Sequence, residues 1–255
     1  YFRSEGFSET GLYAGVNLQY TLNWSDAEQK PVAGPGGSGL TYGEVKDWRF
    51  RCALFRAPQG ATSVTLGLVM SCDENGRASS AWFDRIQIRP WTEQAGAEAK
   101  STVYNVSDGA FDSGKYRRVA DDDTPTGFAV IANPKFGMEP GYLAGGLYLR
   151  TLPPGQYRIV FRLKIGEIPP EPKNLLQWDV NTATMGYLNS GVISTAEFQK
   201  AGAYQDFAYP VVVPPEVGFV DPRVVWNGGI VTWIDTITVV QEKVYTEEDL
   251  KGLTE

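Results

Sequence analysis

Two aspartates occupy equivalent places in a repeated seven-residue pattern. Trp82-Phe83-Asp84-Arg85-Ile86-Gln87-Ile88 and Trp233-Ile234-Asp235-Thr236-Ile237-Thr238-Val239 both read Trp-apolar-Asp-x-Ile-x-apolar. In an extended strand alternate side chains share a face, so each aspartate falls in phase with the Trp and Ile that belong in a core. A buried carboxylate without a partner is costly. Each aspartate therefore calls for backbone N–H donors at a strand entrance or for a cation. Asp108, Asp112, Asp121, Asp122 and Asp123 are further carboxylates in loops that could join Asp235 around an ion. The chain has no histidine, which removes Ser-His-Asp and Cys-His catalysis and the commonest transition-metal ligand. Two cysteines cannot build a zinc site alone. An oxygen-bound ion such as calcium is the metal this composition accommodates.

The second supply of chemistry is aromatic. Exposed Trp and Tyr rings offer flat apolar faces to sugar C–H groups while nearby Asp, Asn, Gln and Arg take hydroxyls. Trp178, Tyr187, Tyr204, Tyr209 and Trp226 are the candidates in the C-terminal part, and Trp24, Tyr42 and Trp48 in the N-terminal part. The competing use of each ring is packing, and the alternating pattern assigns Trp82 and Trp233 to the core. Cys52 and Cys72 both fall on the apolar parity of their strands, either as a bridge between sheets or as two buried thiols. Among 30 acidic residues no motif singles out a glycosidase-like pair, so the expectation is a protein without catalytic activity.

These residues must be positioned by strands. Helical periodicity is nearly absent, period-two alternation recurs throughout, and 28 Gly and 16 Pro punctuate it. The class is all-β. The clearest strand has Tyr157, Ile159, Phe161, Leu163 and Ile165 alternating with Arg158, Arg162 and Lys164. Val16 to Leu22 and Val64 to Met70 alternate in the same way, and residues 1–10 show no clear element. Residues 91–101 read as a linker, dividing the chain into 1–92 and 102–243, with a tail at 244–255 that resembles a capped helical turn stopped at Gly252. A net charge of −7 without a basic stripe argues against nucleic acid, and no apolar run is long enough to span a membrane. The start at Tyr1 without a leader reads as a processed chain or a fragment of a longer one. The sequons Asn23-Trp-Ser25 and Asn105-Val-Ser107 are weak signs of secretion.

A strand with aromatic residues, a Pro/Gly turn, an apolar strand and then Trp-apolar-Asp-x-Ile resembles the C-terminal half of jelly-roll carbohydrate-binding modules, which share a galactose-binding-like β-sandwich. The strand Gly155–Ile165, the run Ala203-Tyr204-Gln205-Asp206-Phe207 and the loop Val119-Ala120-Asp121-Asp122-Asp123-Thr124-Pro125-Thr126-Gly127 extend the likeness. It covers most of 103–241 and about 15–90. The resemblance implies two tandem antiparallel β-sandwiches of jelly-roll type, outside the cell or on its surface, docking on a polysaccharide or glycan. It also implies a structural calcium at Asp235, with Asp84 in the matching position. Aligning 15–90 with 155–241 leaves nothing in the first unit to match 103–154. That unit is either a smaller sandwich or one that lacks its N-terminal strands, completed by strand donation. The alternative function is accordingly structural: a self-associating segment of a cell-surface layer, fibre or other large extracellular assembly.

Overall fold

The computed structural model describes residues 2–5, 17–34, 37–41, 45–49, 57–71, 80–83, 86, 99–105, 116–183, 186–215 and 217–254. Asp84, Cys52, Cys72, Tyr42, Asp108 and Asp112 lie outside them, as does Ser107 of the second sequon. Trp48 is described in its backbone alone.

The first strands in chain order are β1 (Phe2–Glu5), β2 (Asn17–Ser25), β3 (Pro31–Val32), β4 (Gly37–Thr41), β5 (Val45–Arg49), β6 (Ser63–Ser71) and β7 (Ser80–Phe83). Then follow β8 (Lys100–Asn105), β9 (Arg117–Ala120), β10 (Phe128–Ala132), β11 (Gly141–Ala144) and β12 (Gly155–Ile165). β13 (Asn174–Thr182), β14 (Gly186–Ser194), β15 (Gln205–Val213), β16 (Val220–Trp226), β17 (Thr232–Val244) and the helix α1 (Glu247–Thr254) complete the chain. The pairing is antiparallel throughout.

One sheet runs β15-β12-β17-β10-β9, and its partner runs β11-β16-β13-β14. With β10 counted as strand one, these orders are 6-3-8-1 and 5-4-7-2 read from either edge, the signature of a jelly roll. Tyr157, Ile159, Phe161, Leu163 and Ile165 are fully buried between the sheets, as their alternation requires. They meet Leu176, Trp178, Val180, Val224 and Trp226 from the opposite sheet in one continuous core.

The N-terminal strands form a sheet β5-β1-β7 and a sheet in which β2 lies between β6 and β4. These orders repeat β15-β12-β17 and β16-β13-β14 in chain sequence. The internal correspondence is therefore displaced by one strand from the expected one. Asn17–Ser25 stands where β13 stands, and the short polar Phe2–Glu5, too brief to show alternation, takes the place of β12. Among the described residues of this unit Tyr20 is the buried apolar side chain, with Leu22, Leu66, Leu68, Ala81 and Phe83 partly buried against it. Ile86, expected in the core, is 53% exposed. The C-terminal helix begins as expected, with Thr246 Oγ1 accepting from the Asp249 N–H and Asp249 Oδ2 accepting from the Thr246 N–H. It runs on through Gly252 to Thr254 instead of stopping there.

Candidate functional site

Two clusters of polar and aromatic side chains lie on the outer faces of the C-terminal sandwich. The first is on the sheet β11-β16-β13-β14. Pairing places Gln177 beside Val225, Asp179 beside Arg223, and Asn181 beside Asp221. Since Leu176, Trp178 and Val180 fill the core, their strand neighbours Gln177, Asp179 and Asn181 point outward. A register shift after Val180 puts Tyr187 opposite Asn181, on the same outer face. Tyr142, 51% exposed, pairs with Val225 on β16. Arg223 donates from Nε to Asp179 Oδ1 at 2.7 Å. Its guanidinium lies 5.3 Å from the Tyr142 ring centroid and 5.4 Å from that of Tyr187. The result is a face with a tyrosine on either flank of a central Arg–Asp pair. Burial pushes the Asp179 carboxyl up, and Arg223 opposes that shift.

One end of this face is walled by a rigid turn. The buried Asp221 carboxylate accepts the Leu147 N–H at 2.9 Å, although burial still raises its pKa. Leu149 and Val220 exchange backbone bonds of 2.8 and 3.0 Å. Held this way, Tyr148 adopts φ +43° and stays 52% exposed, edge-on to Phe219 at 5.1 Å. A bulky residue at positive φ is strained, and such strain persists where surrounding bonds over-determine it. Gly145 lies against Arg223: a Cβ there would sit 3.2 Å from Arg223 Cγ. The turn therefore packs on the Arg–Asp pair itself.

The second cluster is on the outer face of the β15-β12-β17 sheet. Arg162 pairs with Thr236 but Leu163 pairs with Ile234, so Asp235 is the extra residue of a β-bulge. On the other side of β17, β10 pairs with Thr232 to Ile234 and β8 with Thr236 to Gln241, and the handover also falls at Asp235. The bulge reverses the parity expected from the Trp-x-Asp-x-Ile pattern. Ile234 and Ile237 are fully buried, while Trp233 is only half-buried and pairs with Lys164 on the outer face.

Asp235 has no solvent exposure and accepts from Arg162 Nε at 3.0 Å through Oδ2, whereas its Oδ1 has no hydrogen-bond partner among the described residues. Burial pushes its pKa up against the pull of Arg162. Lys164 Nζ donates to Asp121 Oδ2 at 2.5 Å and to Asp123 Oδ2 at 3.3 Å. Asp121 also accepts the Tyr204 hydroxyl at 2.9 Å and the Asp123 N–H at 3.1 Å. Burial raises the Asp121 pKa, but the bonds from Lys164, Tyr204 and Asp123 outweigh it and hold the carboxyl below its ordinary value.

The sequence-predicted rings divide accordingly. Trp178 and Trp226 are corrected to the core, at 4% and 0% exposure. Trp178 stacks on Tyr209, also buried, with centroids 3.8 Å apart, and Trp226 donates Nε1 to the Ile230 carbonyl at 2.9 Å. Rings enclosed in this way have no face left for a ligand. Tyr187 belongs to the first outer cluster and Tyr204 to the second; Trp24 is half-buried at the end of β2. Of the predicted metal ligands, Asp108 lies outside the described residues, and the other four meet different surroundings. Asp121 and Asp123 face an ammonium, Asp122 is exposed, and Asp235 offers one open oxygen where calcium takes six to eight. Among the described residues no group of three or more acidic, His or Cys side chains is arranged to hold a metal. The sequence reading passed over Tyr142, Asp179, Arg223 and Lys164. The signal of the last three was a charged residue at the polar parity of an otherwise apolar strand, which is usually mere solvation.

No protein-family model matches the chain, and no curated protein matches it in sequence. Solved structures do. The C-terminal family 6 carbohydrate-binding module of a marine laminarinase from Zobellia galactanivorans is 11% identical, covers 56% of this chain and 100% of its own, and gives a TM-score of 0.38. A family 35 module from Clostridium thermocellum is 18% identical over 54% of this chain and 97% of its own, at 0.36. The tandem pair of family 22 modules from a Paenibacillus barcinonensis protein is 11% identical over 95% of this chain and 79% of its own, at 0.41. The strand orders themselves make the chain an all-β protein with a jelly-roll β-sandwich, and the solved structures it is similar to are carbohydrate-binding modules.

Proposed function

We propose that the protein is a non-catalytic carbohydrate-binding protein acting outside the cell or on its surface, and that it takes a polysaccharide on the β11-β16-β13-β14 face. The observation that carries this reading is the pair Tyr142 and Tyr187 set on either side of Arg223–Asp179 on one open sheet face. Tyrosine rings supply apolar platforms for sugar faces. Asp179, Arg223, Gln177 and Asn181 supply hydroxyl partners in fixed directions, because they project from paired strands rather than loops. Affinity electrophoresis on a broad panel of soluble polysaccharides tests it. Wild type should be retarded by at least one polymer, and Tyr142→Ala and Tyr187→Ala should each weaken that binding about tenfold without lowering the melting temperature. Absence of retardation on every polymer would sink the proposal.

A second reading is favoured by the strand order of the N-terminal unit. Among the described residues, β7 pairs only with β1 and β6 only with β2. In the C-terminal sandwich the corresponding edges carry β10 and β11. A strand edge left unpaired accepts further strands; by that route the protein would be a structural segment of an extracellular assembly built by strand addition. No helix among the described residues is long and apolar enough to cross a membrane.

A further inference from the structure

We propose that Lys164, seconded by Arg162, is the resident cation of the Asp121–Asp235 cluster, and that the protein's own ammonium stands where the resemblance expects a metal. Lys164 enters from the outer parity of β12 with its side chain only 8% exposed, as is that of Asp121. Its Nζ is enclosed by Asp121 Oδ2, Asp123 Oδ2, the Tyr204 ring at 4.5 Å and the Trp233 ring at 5.1 Å. The carboxylates and the two π-faces all favour a cation at that point.

A divalent ion on Asp121 and Asp123 would have to share this space with the ammonium. Lys164 cannot withdraw cheaply, because a buried charge stripped of its partners is strongly unfavourable. Arg162 fills the adjoining position. Its Nε meets Asp235 Oδ2 at 3.0 Å, NH1 meets Asp206 at 3.5 Å, and the guanidinium lies 5.2 Å from the Tyr204 ring. The two cations are two residues apart on β12, so one strand ties three others: the Asp121 loop before β10, the start of β15, and the bulge of β17.

The same geometry predicts a latent metal site. Removing Lys164 leaves Asp121 and Asp123 with excess negative charge at the vacated ammonium position, two carboxylates that a hard cation such as calcium or a lanthanide can take up in its place. Three measurements decide the proposal. Wild type is melted after treatment with a chelator and again in millimolar calcium; the transition of the C-terminal sandwich should not move. A metal bound only to the folded state would instead shift it by several degrees. Terbium luminescence excited through tryptophan is then recorded, counting only the emission that Trp233→Phe removes. Wild type should show none. Lys164→Ser should show a saturable signal that calcium competes away. Chelator destabilisation of wild type, or such terbium emission from wild type, would overturn the proposal. So would a folded Lys164→Ser variant that gains no emission. If that variant does not fold, the two wild-type measurements still decide.

Discussion

At the scale of single residues, Asp235 and Asp121 have opposite electrostatic fates. Asp235 is sealed in a bulge with one cationic partner, and burial holds its pKa above the ordinary carboxylate value. Asp121 gathers donors from Lys164, Tyr204 and a backbone N–H, and its pKa ends below that value. The signs of their contributions to stability differ in consequence. A carboxyl lowered on folding stabilises the native state fully above its unfolded pKa and loses that contribution as pH falls through the folded value. A raised one contributes below its unfolded pKa and loses that as pH rises through the folded value. Acid unfolding below about pH 4 should therefore be governed in part by Asp121. Asp121→Asn should lower stability at neutral pH and flatten the fall in melting temperature on acidification. Melting curves taken across that range check this; an unchanged slope would show that Asp121 carries none of the acid sensitivity.

At the scale of elements, the facing of each strand is set by bulges and close approaches as much as by composition. β14 presses on β13 where Gly191 underlies the Trp178 indole: a Cβ at Gly191 would come within 2.9 to 3.0 Å of the ring. The indole cannot move aside, since it is stacked on Tyr209 and tilted against Phe161. Gly191→Ala should accordingly cost about 1–3 kcal/mol by overpacking, read as a lower midpoint in urea. A substitution that leaves the midpoint unchanged would mean that β14 can slide away from β13. The bulge at Asp235 is the counterpart on β17. It turns Trp233 outward onto Lys164 while Ile234 and Ile237 both stay in the core.

At the scale of the molecule, the two units repeat one strand sequence in their described parts. The C-terminal one closes a large core between paired sheets. The described part of the N-terminal one offers Tyr20 and a few half-buried neighbours. If β6 and β7 present accepting edges, light scattering should give a mass that rises with concentration. Placing a lysine at Met70, 44% exposed on β6, should suppress that rise, because edge charges oppose strand pairing. A concentration-independent monomer would remove the assembly reading and leave the polysaccharide reading untouched.

Alternation recurring along the chain was enough to determine an all-β class, and along β12 it fixed the identity of the buried face, because one strand side must meet the core and the other must not. The repeated Trp-apolar-Asp-x-Ile pattern was likewise enough to mark two related units. Only the tertiary structure decided what the carboxylates face. A bulge is created by the partner strand's register, and nothing local in Trp233 to Val239 announces that the side chains change sides at Asp235. The same holds for the candidate binding face. Tyr142, Asp179, Tyr187 and Arg223 come from four strands, of which only β13 and β14 are neighbours in sequence, and sheet order sets them together. Trp178 and Trp226 carried the right chemistry for a ligand, but their strand parity directs them to the interior, where burying large rings is worth more than exposing them.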